Sequence, residues 1–234
     1  MSTRQPGSAS IEQPDYWWYR ARSELLRAAL GPHAQGPTRL LDVGSADGPS
    51  VAWLDSPRHA CLDMDLRGLR PGDGVCASAL SLPFADASFD LVSAFDVVEH
   101  CEPESTVLRE FHRVLQPGGR LLLSVPAYEW AWTDHDVRAG HHRRYTRGRL
   151  VRAVTGAGYS VRRVSHGFAG VFPFFAAERV LRRVRPAASG ATLPEVSPTL
   201  ERLFLGLSRT EARLLTRRDL PFGSSVFLAA DKPV

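Results

Sequence analysis

Between Trp132 and Tyr145 the sequence crowds two acids, three histidines, two adjacent arginines and a tyrosine into one polar stretch. A histidine beside a carboxylate is an oriented base. His135, next to Asp134 and Asp136, therefore has the type to take a proton, and His141 is a second candidate. Arg143 and Arg144 carry planar donor sets suited to a phosphate or carboxylate, with Tyr145 beside them. Upstream, Asp96-Val-Val-Glu99-His100 supplies a further candidate base, His100. Trp17, Trp18 and Tyr19 form an aromatic run from which Trp18 and Tyr19 are expected to stack on an acceptor molecule. Plainer readings stand beside these. The polar stretch is alternatively a surface loop tied down by its own Asp–Arg and His–Asp pairs. Glu99 with His100 is alternatively a helix-capping pair, and the aromatics alternatively pack on a sheet.

A second constellation lies closer to the N-terminus. Arg39 to Val43 is a short apolar run with Asp42 near its end, readable as a buried parallel strand. A turn, Gly44-Ser-Ala-Asp-Gly48, follows, and Pro49 suits the first position of a next helix. Asp63 closes the next strand, Arg58 to Asp63, about twenty residues on, the spacing at which an acid accepts both hydroxyls of a ribose. The turn has no lysine and is not a complete GxGxxG, so it is neither a Walker loop nor a full dinucleotide fingerprint.

The elements that must position these groups alternate. A helix runs from Asp15 to about Leu30. Further strands fall at Val75–Ala79, Phe89–Phe95 and Arg120–Val125, with a helix at Pro103–Leu115 stopped by Pro117-Gly-Gly119. After Pro126 comes the long polar segment, then a helix at Thr146–Thr155 and a strand at Tyr159–Val164. A helix at Phe168–Val184, a linker at Pro186–Pro198, a helix at Thr199–Leu215 and a last strand at Gly223–Ala230 complete the chain. Strands alternating with helices at this spacing predict βαβ units, an α/β fold with a parallel sheet and helices on both faces. Ligands bind such sheets at the carboxyl ends of the strands.

Four segments resemble the class I S-adenosylmethionine-dependent methyltransferases. Leu40-Leu-Asp-Val-Gly-Ser-Ala-Asp-Gly48 is similar to their first motif and Leu62-Asp-Met-Asp65 to their acidic second motif. Leu82-Pro-Phe84 with Ser88-Phe-Asp-Leu91, and Leu115-Gln-Pro-Gly-Gly-Arg-Leu-Leu-Leu123, resemble the approaches to strands four and five. The remainder resembles a subgroup with WWYR near the start, GHHRRYT after strand five and LPFGSS before the last strand. The resemblance implies a Rossmann-like seven-stranded sheet with an antiparallel last strand and a helical insertion before it. It implies one methyltransferase domain over 15–234 after a loose 1–14, with 127–145 as an active-site loop and 167–218 as insertion or cap. S-adenosylmethionine is the implied cofactor. Gly44, Ser45, Ala46 and Gly48 would lie against its amino acid part, and Asp42 would orient that loop or meet the ammonium. Asp63 would take the ribose, Met64 would pack on adenine, Ser78 and Ala79 would edge it, and Phe95 would lie near the sulfonium. Ala46 and Ser78 depart from the usual Gly and Asp. The DxxEH spacing is similar to an ExxEH element that holds a divalent ion in some class I members, with His135 or His141 available to complete a set. The reading adopted is that no metal is used.

Composition bounds the function. With 44% hydrophobic and 23% charged residues the chain reads as globular, which excludes disordered, fibrous and membrane-spanning classes. The longest apolar stretch, Gly167 to Ala177, is about half a span and contains Pro173. Met1 to Pro14 is polar, without the apolar core of a secretory signal. Three cysteines with no CxxC pair exclude a disulfide framework and fit a cytoplasmic setting. Arg138 to Arg218 holds seventeen arginines against four glutamates, so the net charge of +4 hides a basic C-terminal half. An anionic partner is expected: a phosphorylated, carboxylate or carrier-linked small-molecule acceptor, or a membrane surface. No RNA-binding module is present, and nucleic acid is not expected. The chain is expected to be a monomer or homodimer. The expected activity is methyl transfer to a small-molecule acceptor, most simply an oxygen, on a natural-product, sugar or lipid-linked compound. The alternative is a methyltransferase fold that binds the cofactor or S-adenosylhomocysteine for other chemistry, such as a cyclase, or as a binding subunit.

Overall fold

The computed structural model describes residues 13, 15–44, 48, 50–69, 74–184 and 196–234. In chain order the elements are α1 (Trp17–Leu30), β1 (Arg39–Val43), β2 (Arg58–Asp63), β3 (Gly74–Cys76), β4 (Phe89–Phe95), α2 (Glu104–Val114), β5 (Leu115–Pro126), α3 (Asp134–Ala139), α4 (Arg147–Gly156), β6 (Ser160–Gly167), α5 (Phe172–Val184), α6 (Pro198–Leu215) and β7 (Ser225–Asp231). The strands form one sheet in the order β3-β2-β1-β4-β5-β7-β6. β7 is antiparallel to β5 and β6, and the pairs among β1 to β5 are parallel.

Side chains alternate across each strand, and two cores follow from that alternation. Leu41, Val43, Val92, Ala94, Leu121, Leu123, Val226 and Leu228 face one way, and Val107, Leu108 and Phe111 of α2 with Leu150 and Val154 of α4 close over them. Leu40, Leu91, Phe95, Leu122 and Phe227 face the other way, under Leu25, Leu26 and Leu30 of α1 and Phe204 and Leu205 of α6. The helix-on-both-faces architecture expected from the sequence is therefore present.

Several boundaries differ from expectation. Among the described residues no α-helix joins β1 to β2: Val51 to Trp53 form a turn, with Leu54 N on Val51 O at 2.8 Å and Trp53 Nε1 on Ser50 O at 2.8 Å. Gly44, Gly48 and Pro49 at the start of this short crossover and Pro57 at its end leave too little uninterrupted chain for stable helical turns. The turn instead inserts Val51 and Leu54 into the α1-side core. β3 ends at Cys76, and Ala79 is buried beyond it. β5 begins at Leu115 rather than Arg120. Pro117-Gly-Gly119 is a bulge in which Gly118, at φ 74°, bonds to Lys232 O. α5 starts at Phe172, because Phe168 is left-handed at φ 64° and cannot continue a helix.

Arg113, near the end of α2, clamps the chain that leads into β4. Its guanidinium donates to the carbonyls of Phe84 (2.8 Å) and Leu82 (3.0 Å) and to both oxygens of Glu110 (2.8 Å), while Glu110 in turn accepts from Leu82 N at 2.7 Å. The Arg113 bond is the main reason the Glu110 carboxyl sits below its usual range. A carboxyl held low stabilises the fold above its unfolded titration range and loses that contribution as pH falls through its folded value. Arg113→Met is expected to cost about 2–3 kcal/mol in urea unfolding at neutral pH. It is also expected to flatten the acid-side loss of stability, and an unchanged acid limb would remove Glu110 as its source.

Candidate functional site

The carboxyl edge of β1, β2 and β4 brings one set of expected residues together. Gly44, at φ 76°, turns the chain out of β1, its N–H bonded to Leu62 O at 2.7 Å. A Cβ here would stand 2.5 Å from Val97 Cγ2, so both the backbone and the space require glycine. Asp42 is buried below it and accepts from Ser93 Oγ across the β1–β4 register at 2.6 Å. Asp63 ends β2, one oxygen accepting Asp65 N at 2.8 Å. Beside it Met64 is 76% exposed, a large apolar side chain with little protein cover. Ala77 N bonds to Asp63 O at 3.2 Å, which draws Ser78 and buried Ala79 alongside. Gly48 lies beyond the turn, and Ser45 and Ala46 lie outside the described residues.

The same edge holds three of the four non-glycine residues with positive φ among the described residues: Asp96 (58°) after β4, Tyr128 (63°) after β5 and Phe168 (64°) after β6. Each costs on the order of 1–3 kcal/mol, which surrounding contacts must offset. Asp96 is held by Ser124 Oγ at 2.8 Å and by Arg22 of α1 at 3.1 Å, Arg22 being nearly fully buried.

The segment after β5 is an excursion that closes on itself. Ala127 pairs with Tyr145, whose N–H bonds to Pro126 O at 2.8 Å and whose carbonyl accepts Tyr128 N at 2.8 Å. Within it Thr133 and Asp136 make a capping box for α3. Asp136 has no exposed surface. It takes His141 Nδ1 at 2.8 Å, Arg144 Nε at 2.8 Å and Thr133 N at 2.9 Å. Burial alone would raise its carboxyl. The His141 bond and the Arg144 charge outweigh burial and hold it well below the usual range. His142 N bonds to Glu99 O at 2.8 Å and lashes the segment to the exit of β4.

Glu99, His100 and His141 meet where that lashing occurs. Each offers a ligand atom within 4.8 Å of the others, and the rings of His100 and His141 stand edge to face at 4.6 Å. Glu99 has no exposed surface, and its burial, reinforced by Asp96, pushes its pKa well up. Partial burial and the neighbouring imidazole bring His100 down to about 4, so its ring is neutral at neutral pH. His135 is exposed, its ring 6.5 Å from that of His141. The structure thus gathers His100 and His141 of the three expected bases and leaves His135 at the margin.

Other expected contacts turn inward. Arg143 is buried, with Nη1 on Cys101 O at 2.5 Å and an ion pair to Glu102. Arg144 is buried on Asp136 and Ala127 O. The anion clamp expected of this pair is spent on protein acceptors. Tyr145 has no exposed surface and donates to Glu104 at 2.7 Å, so it serves the core. Tyr19 is buried. Trp18 stacks on Phe168 at 5.5 Å with Arg22 over its ring at 5.0 Å, which follows the packing alternative. The Phe95 side chain is buried beside Trp53 in the α1-side core, and its place at the edge is made by its backbone. Sequence reasoning passed over Arg22, Ser124 and Arg113. The partners of Arg22 and Ser124 lie 28 or more residues away, and Arg113 reaches back 29 and 31 residues to Phe84 and Leu82, contacts that no local spacing signals.

Removal of the Asp136 carboxylate strands a buried arginine. Asp136→Ala is expected to lose about 3–5 kcal/mol of stability and to raise amide exchange over 127–145 before the sheet. Uniform exchange across the chain would contradict the hub role.

The methyltransferase domain family matches residues 41–123, the stretch from β1 into β5. Among curated proteins, the malonyl-acyl-carrier-protein O-methyltransferase of Pseudescherichia vulneris is 33% identical over 134 residues, 51% of this chain and 53% of that protein. The chain spans about half the length, or less, of the first curated relatives it matches. Among solved structures, the 1,6-didemethyltoxoflavin N1-methyltransferase of Burkholderia thailandensis, with its substrate and S-adenosylhomocysteine bound, aligns at TM-score 0.56 and 16% identity. That alignment covers 95% of this chain and 83% of the other. The cyclase SpnF aligns at 0.55 and 19% identity, covering 91% and 80%. These structural likenesses bear on the fold, and the matched segment bears on the edge built from β1, β2 and β4. The stretch from β1 into β5 is thus similar to the methyltransferase domain family, and the fold is that of the class I S-adenosylmethionine-dependent methyltransferases.

Proposed function

We propose that the chain binds S-adenosylmethionine on the carboxyl edge of β1, β2 and β4 and passes its methyl group to an acceptor held under the 127–145 segment. The observation that carries this reading is the conjunction at that edge. A glycine turn admits no side chain at Gly44, an acid stands at the tip of β2, and an uncovered Met64 offers an apolar surface for a base. The matched family segment contains all three. The sulfonium is already activated, so the protein need only align a nucleophile in line with the methyl and manage its proton. Glu99, His100 and His141 form the polar cluster available for that on the acceptor side.

The acceptor we propose is an oxygen of a small molecule that carries negative charge, free or attached to a carrier. Arg138, Arg152, Arg202, Arg213, Arg217 and Arg218 are exposed, and the basic half of the chain attracts anions. The acyl-carrier substrate in the name of the curated relative points the same way. Tyr128, Trp130 and Phe172 gather beyond β5 and β6 with ring centroids 5.6–6.3 Å apart, an apolar cluster on the carboxyl edge of the sheet.

Calorimetry with S-adenosylhomocysteine tests the donor site. Wild type is expected to bind, Asp63→Ala to lose at least about tenfold in affinity through the missing charged hydrogen bonds, and Gly44→Ala to lose binding. Equal affinity in wild type and both variants would place the donor elsewhere. Release of S-adenosylhomocysteine from S-adenosylmethionine with a malonyl thioester is expected to exceed that with a neutral alcohol. It should fall as salt rises. Cofactor binding without turnover on any acceptor would favour non-methylating chemistry on this fold.

A further inference from the structure

The geometry points to a site for one first-row divalent transition-metal ion formed by Glu99, His100 and His141. It deepens the proposed reaction by assigning the handling of the acceptor to that ion.

The ligand atoms of the three side chains lie within 4.8 Å of one another, a spread that a single ion at its center closes by small side-chain rotations. Both Glu99 carboxylate oxygens are buried, and neither has a hydrogen-bond partner among the described residues. Burial of such a group without a partner is costly, and a cation between it and the two imidazoles removes the cost. Both imidazoles have outer acceptors. His141 Nδ1 is on the buried Asp136 carboxylate at 2.8 Å, and the His100 ring bonds to the backbone at Ala139 and Gly140. An outer carboxylate or carbonyl on a histidine N–H fixes the tautomer and aims the other nitrogen, the usual support of a metal-bound histidine. Arg144 and Thr133 pin Asp136 in turn, so the aim of His141 is set by a rigid second layer. Asp96, the other acid of the sequence element, is outside the set because Ser124 and Arg22 hold its two oxygens.

Two imidazole nitrogens and one carboxylate oxygen select a borderline ion such as Zn2+, Co2+, Fe2+ or Mn2+ over Mg2+ or Ca2+. Three protein ligands leave a position open, and exposed His100 gives access from solvent. An acceptor hydroxyl bound there would lose its proton to solvent at neutral pH, because the ion lowers its pKa. The resulting oxygen attacks the methyl carbon. The O–C bond forms as the C–S bond breaks, and the electron pair stays on sulfur as the neutral thioether. Nothing is oxidised or reduced.

The test uses the untagged full chain, stripped with chelator and titrated with Co2+. Wild type is expected to take up one equivalent with visible ligand-field bands. His141→Ala, His100→Ala and Glu99→Gln are expected to abolish those bands. Asp136→Asn should bind roughly 10- to 100-fold more weakly, and His142→Ala should match wild type. Thermal melting and S-adenosylhomocysteine calorimetry on each variant report folding and the donor site separately. No bands in wild type, or equal bands in wild type and His141→Ala, would overturn the metal site. If S-adenosylhomocysteine still bound in that case, the methyltransferase reading would stand without it.

Discussion

One fully buried carboxylate, that of Asp136, ties the two arms of the 127–145 segment to each other. It accepts from α3's own start, from His141 and from Arg144, and so converts a nineteen-residue excursion between β5 and α4 into a fixed wall. Without it, Arg144 is a buried charge with one carbonyl for company, and His141 has no reason to face His100. Loops of this length in a compact domain usually carry function. This one is held by charge-assisted bonds strong enough to keep reactive side chains at chosen positions. Arg179 of α5 adds a further tie, donating to Thr133 at 2.8 Å, so the insertion before β7 also braces the wall.

The wall stands over a sheet edge where strain is concentrated. Asp96, Tyr128 and Phe168 are left-handed at the carboxyl ends of β4, β5 and β6, each offset by local contacts: Arg22 and Ser124 on Asp96, His166 stacked on Tyr128 at 5.4 Å, Trp18 stacked on Phe168 at 5.5 Å. Asp96 is tied to α1 through Arg22, and Trp18 reaches Phe168 from the same helix. The aromatic start of α1 therefore packs against the edge and stabilises it. On the proposed reading, donor side and acceptor side meet at the exit of β4, where residues 95 to 100 contribute to both.

Much of this is legible in the sequence, for physical reasons. Strands buried on both faces must be apolar runs, so β1, β4 and β5 are visible, and glycine at 44 and acid at 63 mark a ligand edge by spacing. The long polar segment reads as functional because no core demand explains it. What stays hidden is the direction in which its side chains point. Arg143, Arg144 and Tyr145 have the types of an anion site, yet their partners Cys101, Asp136 and Glu104 are set by tertiary packing that spacing does not encode. Among the described residues no α-helix follows β1, the limit of the βαβ rule where the crossover is short and broken by Pro and Gly. The convergence of His141 on Glu99 and His100 depends on a hydrogen bond from His142 N to Glu99 O, invisible at a separation of forty-three residues.

In the proposed reaction, donor edge and polar wall face each other across one site. A crystal structure of the complex with S-adenosylhomocysteine tests it most directly. The ribose hydroxyls are expected on the Asp63 carboxylate, adenine against Met64, and the sulfur directed toward Glu99, His100 and His141. A ligand seated at another edge of the sheet, or one whose sulfur points away from that cluster, would contradict it.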